Sequence, residues 1–117
     1  VFAAPSIYEP FGLAVLEAAL SRAALVLADI PTFRELWGGA AMFADPHDPS
    51  AFARAIDALA SDDSLRRDLA ARARSRAASF TIERQTTLLM EAYAGAMAGA
   101  ASGRGHARQT EFVEVSP

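Results

Sequence analysis

Two carboxylates frame the chemistry this sequence can offer. In "PSIYEPFGLAVLEAAL", residues 5–20, Glu9 stands before the start of a helix and Glu17 stands inside it, two turns further on. A helix start presents N–H groups with no partner inside the helix, here those of about Phe11, Gly12 and Leu13, and they carry a partial positive charge. Gly12 has no Cβ, so an anion can approach the backbone closely, and phosphate is the natural occupant of such a mouth. An ionised glutamate only accepts hydrogen bonds, so Glu9 in the loop suits the hydroxyls of a sugar. Glu17, if its flank of the helix faces the same cleft, can take the two vicinal hydroxyls of a ribose. The spacing then fits a diphosphate at the helix mouth with a hydroxyl-rich ring on either side. Acids near a helix start also arise simply to complement its dipole, so the pair alone reads as an anion site or as structure.

These residues need a scaffold. "VFAAP" (1–5) is a short apolar run closed by Pro5 and reads as a buried strand. Residues 6–11 form a loop, and a helix follows over about 12–21 with Leu13, Leu16, Ala19 and Leu20 on its apolar face. "ALVLAD" (24–29) is the continuous run of a parallel strand covered on both faces. Pro31 and Thr32 open a short helix through Trp37, stopped by Gly38 and Gly39, and "AAMFAD" (40–45) is a third strand. The period then changes. Asp48 caps a helix with Pro49 in its first position, and Phe52, Ile56 and Leu59 fall on one face. A helix over 64–79 turns Leu65, Leu69 and Ala73 inward, and Thr81 caps a last helix, about 81–100, that carries Ile82, Leu89, Tyr93 and Met97. The tail at 102–117 is rich in polar residues and glycine and reads as disordered. Strands alternating with helices predict a doubly wound α/β fold with a parallel sheet. Three strands make only the second half of a Rossmann-type domain. In such sheets ligands bind beyond the carboxyl ends of the strands, where the loop that carries Glu9 lies.

The composition narrows the options. The 117 residues suffice for one domain, and 52% hydrophobic residues can build a core. A net charge of −3 provides no basic excess to attract nucleic acid or anionic lipid. The absence of cysteine excludes disulfides, thiolate catalysis and cysteine metal sites, and suits a reducing cytoplasm. No apolar run approaches the roughly 20 residues of a membrane helix, and the first residues lack the charged region of a signal peptide. All 11 basic residues are arginine and alanine abounds, which reads as GC-rich, bacterial coding. The chain opens at Val1, directly into an apolar run, as a piece cut from a longer protein would.

"PSIYEPFGLAVLEAA" followed by "LVLADIPTFRELWGGAAMFADPHDPSAFARAI" resembles the C-terminal domain of retaining nucleotide-sugar glycosyltransferases. These are two-Rossmann-domain enzymes of the GT-B type, family four, group 1. The Glu-x7-Glu spacing around Pro-Phe-Gly carries the resemblance, with the downstream Glu, Gly-Ala-Ala and Asp-Pro blocks in order over roughly residues 1–95. It implies an α/β, partial Rossmann-like fold with flanking helices, residues 1–101 being the C-terminal part of a donor-binding domain. By the resemblance Glu9 is the catalytic-site residue that binds donor-sugar hydroxyls. The amides of Phe11, Gly12 and Leu13 bind sugar and diphosphate, and Glu17 binds the nucleotide ribose. It further implies metal-independent transfer with no cofactor beyond the nucleotide-sugar donor as substrate, and the chain has no Asp-x-Asp motif. The implied partners are that donor, an unknown sugar, lipid or glycan acceptor, and a missing N-terminal domain. The fragment alone is expected to be inactive. The implied location is cytoplasmic, with the inner-membrane surface open to the full-length protein. The terminal helix would cross to the missing domain, leaving Leu89, Tyr93 and Met97 exposed. Where the family has a Gly-x-Pro turn before the second strand, Arg22 and Ala24 stand here. A nucleotide-sugar epimerase on the same scaffold and a non-catalytic nucleotide-binding or interaction module are the alternatives.

Other residues read as structural. Arg66, Arg67, Arg72, Arg74 and Arg76 are interspersed with Asp62, Asp63 and Asp68 and no aromatics, the pattern of a solvated helix face and not of a nucleic-acid surface. Arg34 and Glu35 fit an ion pair or helix surface better than a ligand contact. His47 and His106 lack partners at catalytic or metal spacing, and Phe33 and Trp37 pack the short helix. Ser6 and Tyr8 lie where a sugar site would be lined.

Overall fold

The structure, a computed structural model, describes residues 1–103. The chain divides after Phe80 into two compact units. The first holds the sheet. Strands β1 (Phe2–Ala4), β2 (Leu25–Ala28) and β3 (Met42–Ala44) lie parallel in the order β1-β2-β3. Ala4 pairs with Leu27 and Ala28 with Ala44, so the carboxyl ends of the strands line up. All four residues of β2 are buried, which is why its sequence shows no alternation.

Helices α1 (Leu13–Leu20) and α2 (Pro31–Trp37) connect the strands, and α3 (Pro49–Ser61) and α4 (Asp63–Ala77) follow. Helix α1 packs on β1 and β2, α3 on β2 and β3, and α4 on α1, α3 and β2. Leu25, Val26, Leu27, Phe33, Trp37 and Leu59 are the largest fully buried side chains. Each such burial contributes about 1.5–3 kcal/mol relative to exposure. The expected α/β fold with its parallel sheet and flanking helices is therefore present.

The helix ends follow their capping chemistry. The Asp48 carboxylate accepts from Ser50 N at 2.9 Å, and that of Asp62 from Ser64 N and Leu65 N at 2.9 Å. Helix α1 ends in a Schellman motif, Ala23 N donating to Ala18 O and Arg22 N to Ala19 O, both at 3.0 Å. This motif needs a left-handed residue, and Arg22 fills it with φ 64°. A residue with a side chain costs about 1–2 kcal/mol there. Arg76 of α4 reaches across to α2, donating to Leu36 O at 2.8 Å and Glu35 O at 3.0 Å. Those carbonyls lie in the last turn of α2, where no intrahelical donor remains.

Two expected faces are corrected. Helix α1 buries Val15, Leu16 and Ala19, whereas Leu13 is 66% and Leu20 47% exposed. At 3.6 residues per turn, Leu13 and Leu20 sit about 100° round the helix from the buried stripe. They share a solvent flank with Glu17. Helix α3 buries Phe52, Ala55 and Leu59, and leaves Ile56 at the surface for the same reason.

The second unit contains α5 (Ile82–Gly103), whose first turn is capped by Thr81 Oγ1 accepting from Arg84 N at 3.2 Å. Ile82, Leu89, Tyr93 and Met97 are exposed along it. Residues 102 and 103 belong to this helix; the remainder of the expected disordered tail lies outside the described residues. Among the described residues no helix is long and apolar enough to cross a membrane.

Candidate functional site

Three connections leave the carboxyl ends of the strands: residues 5–12 after β1, 29–30 after β2 and 45–48 after β3. The first carries the expected site residues. Phe11 anchors it, packing edge-on against Phe80 with ring centroids 5.5 Å apart. Gly12 then caps α1 in the left-handed conformation, φ 85° and ψ 64°.

Glycine has no side chain with which to cap a helix, and Glu9 supplies one. Its Oε1 accepts from Gly12 N at 3.0 Å and, at a long 3.5 Å, from Phe11 N. Glu9 is half-buried there, and its second oxygen, Oε2, has no partner among the described residues. Of the three amides expected to face an anion, two therefore already meet a carboxylate. The amides of Leu13, Ala14 and Val15 open the helix, whose first closing bond is Leu16 N to Gly12 O at 3.0 Å. The first-turn amides without a helical acceptor are thus those of 13–15, of which only Leu13 belongs to the expected set.

Gly12 is also required from below. A Cβ there would lie 3.0 Å from Phe33 Cε1 and 3.2 Å from Val15 Cγ2. Phe33 of α2 thus supports the mouth, a role that its apolar type alone did not reveal. Glu17 lies exposed one turn after Leu13, on the flank that carries Leu13 and Leu20. No hydrogen bond links Glu9 and Glu17. They border α1 at its mouth and along its open flank.

Beyond β2 and β3 the strand ends enclose a cleft of about 470 Å³ lined by Ile7, Asp29, Ile30, Asp45, Pro46 and His47. Sequence reasoning passed over Asp29 and Asp45, although each directly follows a strand. Both are engaged within the chain. Asp45 Oδ1 accepts from His47 N at 2.8 Å. Asp29 forms a bidentate pair with Arg34, both bonds at 2.6 Å, and Arg34 stacks 4.1 Å over the Phe43 ring. The Arg34 hydrogen bonds hold the Asp29 carboxyl below its usual 3.8 despite slight desolvation. Arg34 is therefore an ion-pair residue, and Glu35 and His47 are exposed. Ser6 is half-buried in the loop, while Tyr8 is 83% exposed.

On α4, Arg66 pairs with Asp63, and Arg72 with Asp68 at 2.8 Å, the arrangement expected of a solvated face. Among the described residues no three acidic or histidine side chains gather as a metal site would require.

A fold and loop of this kind have known counterparts. Residues 1–76 match the family described as "Glycosyl transferases group 1". The chain is 37% identical over 92 residues to O-antigen chain mannosyltransferase B of Escherichia coli, covering 79% of this chain and 24% of that protein. It is 36% identical over 100 residues to D-inositol 3-phosphate glycosyltransferase of Salinispora arenicola (strain CNS-205), covering 82% and 22%. Among solved structures it is similar to the sucrose-phosphate synthase of Thermosynechococcus elongatus, with a TM-score of 0.72 and 26% identity over 81% of this chain and 25% of that one. The chain spans about a quarter of the length of these relatives. With a match over most of its length and a fold to correspond, the chain belongs to the group 1 glycosyltransferases.

Proposed function

We propose that this chain is the donor-binding portion of a retaining transferase that takes a sugar from a nucleoside diphosphate to an acceptor hydroxyl. The observation that carries the reading is the anchored Glu9. One carboxylate oxygen is fixed by Gly12 N at 3.0 Å and the other is left over, beside an open helix mouth. A carboxylate held in this way presents its free oxygen to sugar hydroxyls at little further entropic cost. The amides of Leu13, Ala14 and Val15 receive the diphosphate. They matter most as its bond to the anomeric carbon breaks and the electron pair passes to the phosphate oxygen. Glu17 takes the ribose hydroxyls from the flank it shares with Leu13. The reading asks for no metal, because the helix mouth supplies the positive end of the dipole. The acceptor and the basic groups that complete the diphosphate site belong to a further domain, in an enzyme of the bacterial cytoplasm.

The test is made on the intact transferase. Glu9→Ala lowers kcat about 100-fold, the penalty of a misplaced sugar, with donor affinity affected less. Glu17→Ala weakens donor binding about tenfold and leaves kcat within a factor of two, as loss of a charged hydrogen-bond acceptor for the ribose would. Unchanged turnover in the first variant, or unchanged donor affinity in the second, refutes the corresponding role. A donor consumed without any acceptor would instead favour the epimerase reading.

A further inference from the structure

A second cleft, of about 550 Å³, opens between the end of α1 and one face of α4, lined by Arg22, Arg67, Ala70, Arg74, Ser75 and Ala78 among others. Residues 67, 70, 71, 74 and 78 follow the helical i, i+3, i+4 spacing, so arginines stand at two levels of a wall otherwise made of alanine and serine. Neither Arg22 nor Arg74 has an ion-pair or hydrogen-bond partner for its side chain among the described residues, whereas Arg34, Arg54, Arg66 and Arg72 are paired with aspartates. Among the described residues Arg67 has one ion-pair partner, Asp63 at 3.9 Å, and that carboxylate also serves Arg66. The ends of α1 and α4 each contribute about half a negative charge. Even if Asp63 cancelled Arg67 fully, the cleft would keep a surplus of about one positive charge, on a chain whose net charge is −3. Arg22 holds this place with φ 64°, a backbone that glycine adopts without strain. The turn explains the left-handed backbone but not the choice of arginine, whose side chain has no partner among the described residues.

We propose that this cleft is an anion site that takes a phosphate group carried on an apolar body, the guanidinium groups meeting the phosphate and the alanines the remainder. It lies at the opposite end of α1 from the donor mouth, about 12 Å away for an eight-residue helix, and is independent of the donor reading. The source of the phosphate is an anionic lipid head group or a soluble phosphate ester.

The full chain is titrated with inorganic phosphate while the arginine Nε–Hε resonances are followed. It is also sedimented with phosphatidylcholine vesicles with and without phosphatidylglycerol. Phosphate shifts the Arg22 and Arg74 signals. Arg22→Gly weakens the binding that shifts Arg74 roughly three- to fivefold, and Arg22→Gly combined with Arg74→Ala abolishes phosphate binding at this cleft, read from the Ser75 and Ala78 amides. Arg54→Ala, on α3 and paired with Asp48, changes nothing. Glycine suits the backbone at 22, so the single variant stays folded. Vesicle binding that needs phosphatidylglycerol and falls with the same variants assigns the phosphate to a lipid; phosphate binding without vesicle binding assigns it to a soluble ester. Either outcome supports the site. Phosphate that leaves both arginines unshifted, or that binds Arg22→Gly as it binds the parent chain, overturns it.

Discussion

Gly12→Ala is the sharpest probe of how the mouth of α1 is built. Two separate costs converge on one methyl group. The backbone at φ 85° disfavours any side chain by about 1–2 kcal/mol. The new Cβ would meet Phe33 Cε1 at 3.0 Å and Val15 Cγ2 at 3.2 Å, and displacing a buried aromatic adds about 1 kcal/mol, the low end for overpacking. Alanine recovers about 0.4–1 kcal/mol by restricting the unfolded chain. The net loss is about 2 kcal/mol, which in a unit of this size lowers Tm by roughly 8–16 °C. Thermal and urea unfolding followed by circular dichroism measure it, with an unchanged m-value as the control for the unfolded state. Glu9 Cγ would lie 3.5 Å from the new methyl, an ordinary contact, so the bond from residue 12 to Glu9 survives in the folded molecules. A Tm within 2 °C of the parent would refute the argument that glycine is needed here for shape.

Three other perturbations follow from the same geometry. Arg22→Gly relieves about 1–2 kcal/mol of left-handed strain and gives back about 0.5–1 kcal/mol through unfolded-chain entropy, so Tm rises by a few degrees; a fall would show that the arginine side chain stabilises the turn. Gly38→Ala brings a Cβ within 2.8 Å of Arg34 O and should destabilise by about 1–2 kcal/mol in urea unfolding, equal stability being the contrary result. The third concerns acid. Asp29 has its folded pKa held below 3.8 by Arg34, so its contribution to stability is complete above that value and is lost as the pH falls through the folded pKa. The stability gap between the parent and Asp29→Asn should therefore be constant from neutral pH to about 5 and close below 3.8; a gap independent of pH would exclude the ion pair as its source.

The strands and helix order were legible because burial on both faces leaves an unbroken apolar run, as in Leu25–Ala28, and because proline, glycine and aspartate mark the helix ends with their own chemistry. Which flank of α1 is buried was not. The helix is little more than two turns long and apolar nearly all round, so leucine at 13 and 20 carried no information about direction. At the site, the two glutamates and the glycine could be found from type and spacing. The bond that ties Glu9 to Gly12 could not, since it depends on how the loop turns back over three residues. Gly12 illustrates the limit well. Its lack of Cβ is equally explained by an anion above or by Phe33 below, and only the packing shows the second. The aspartates after β2 and β3 were missed because an acid after a strand resembles any solvated turn until its neighbours are placed.

The reach of Arg76 to the carbonyls of Glu35 and Leu36 spans some forty residues of sequence. Each strand–helix pair before it could in principle form from neighbouring sequence as the chain leaves the ribosome. Two carbonyls in the last turn of α2, those of Glu35 and Leu36, however, gain their side-chain donor only after α4 has been made, and β2 acquires part of its cover from the same helix. The early elements must therefore wait, incompletely covered, for the late one. Contacts this distant slow folding and join the pieces into one cooperative event. A chain stopped before residue 76 should thus be a target for proteases rather than a smaller stable fold.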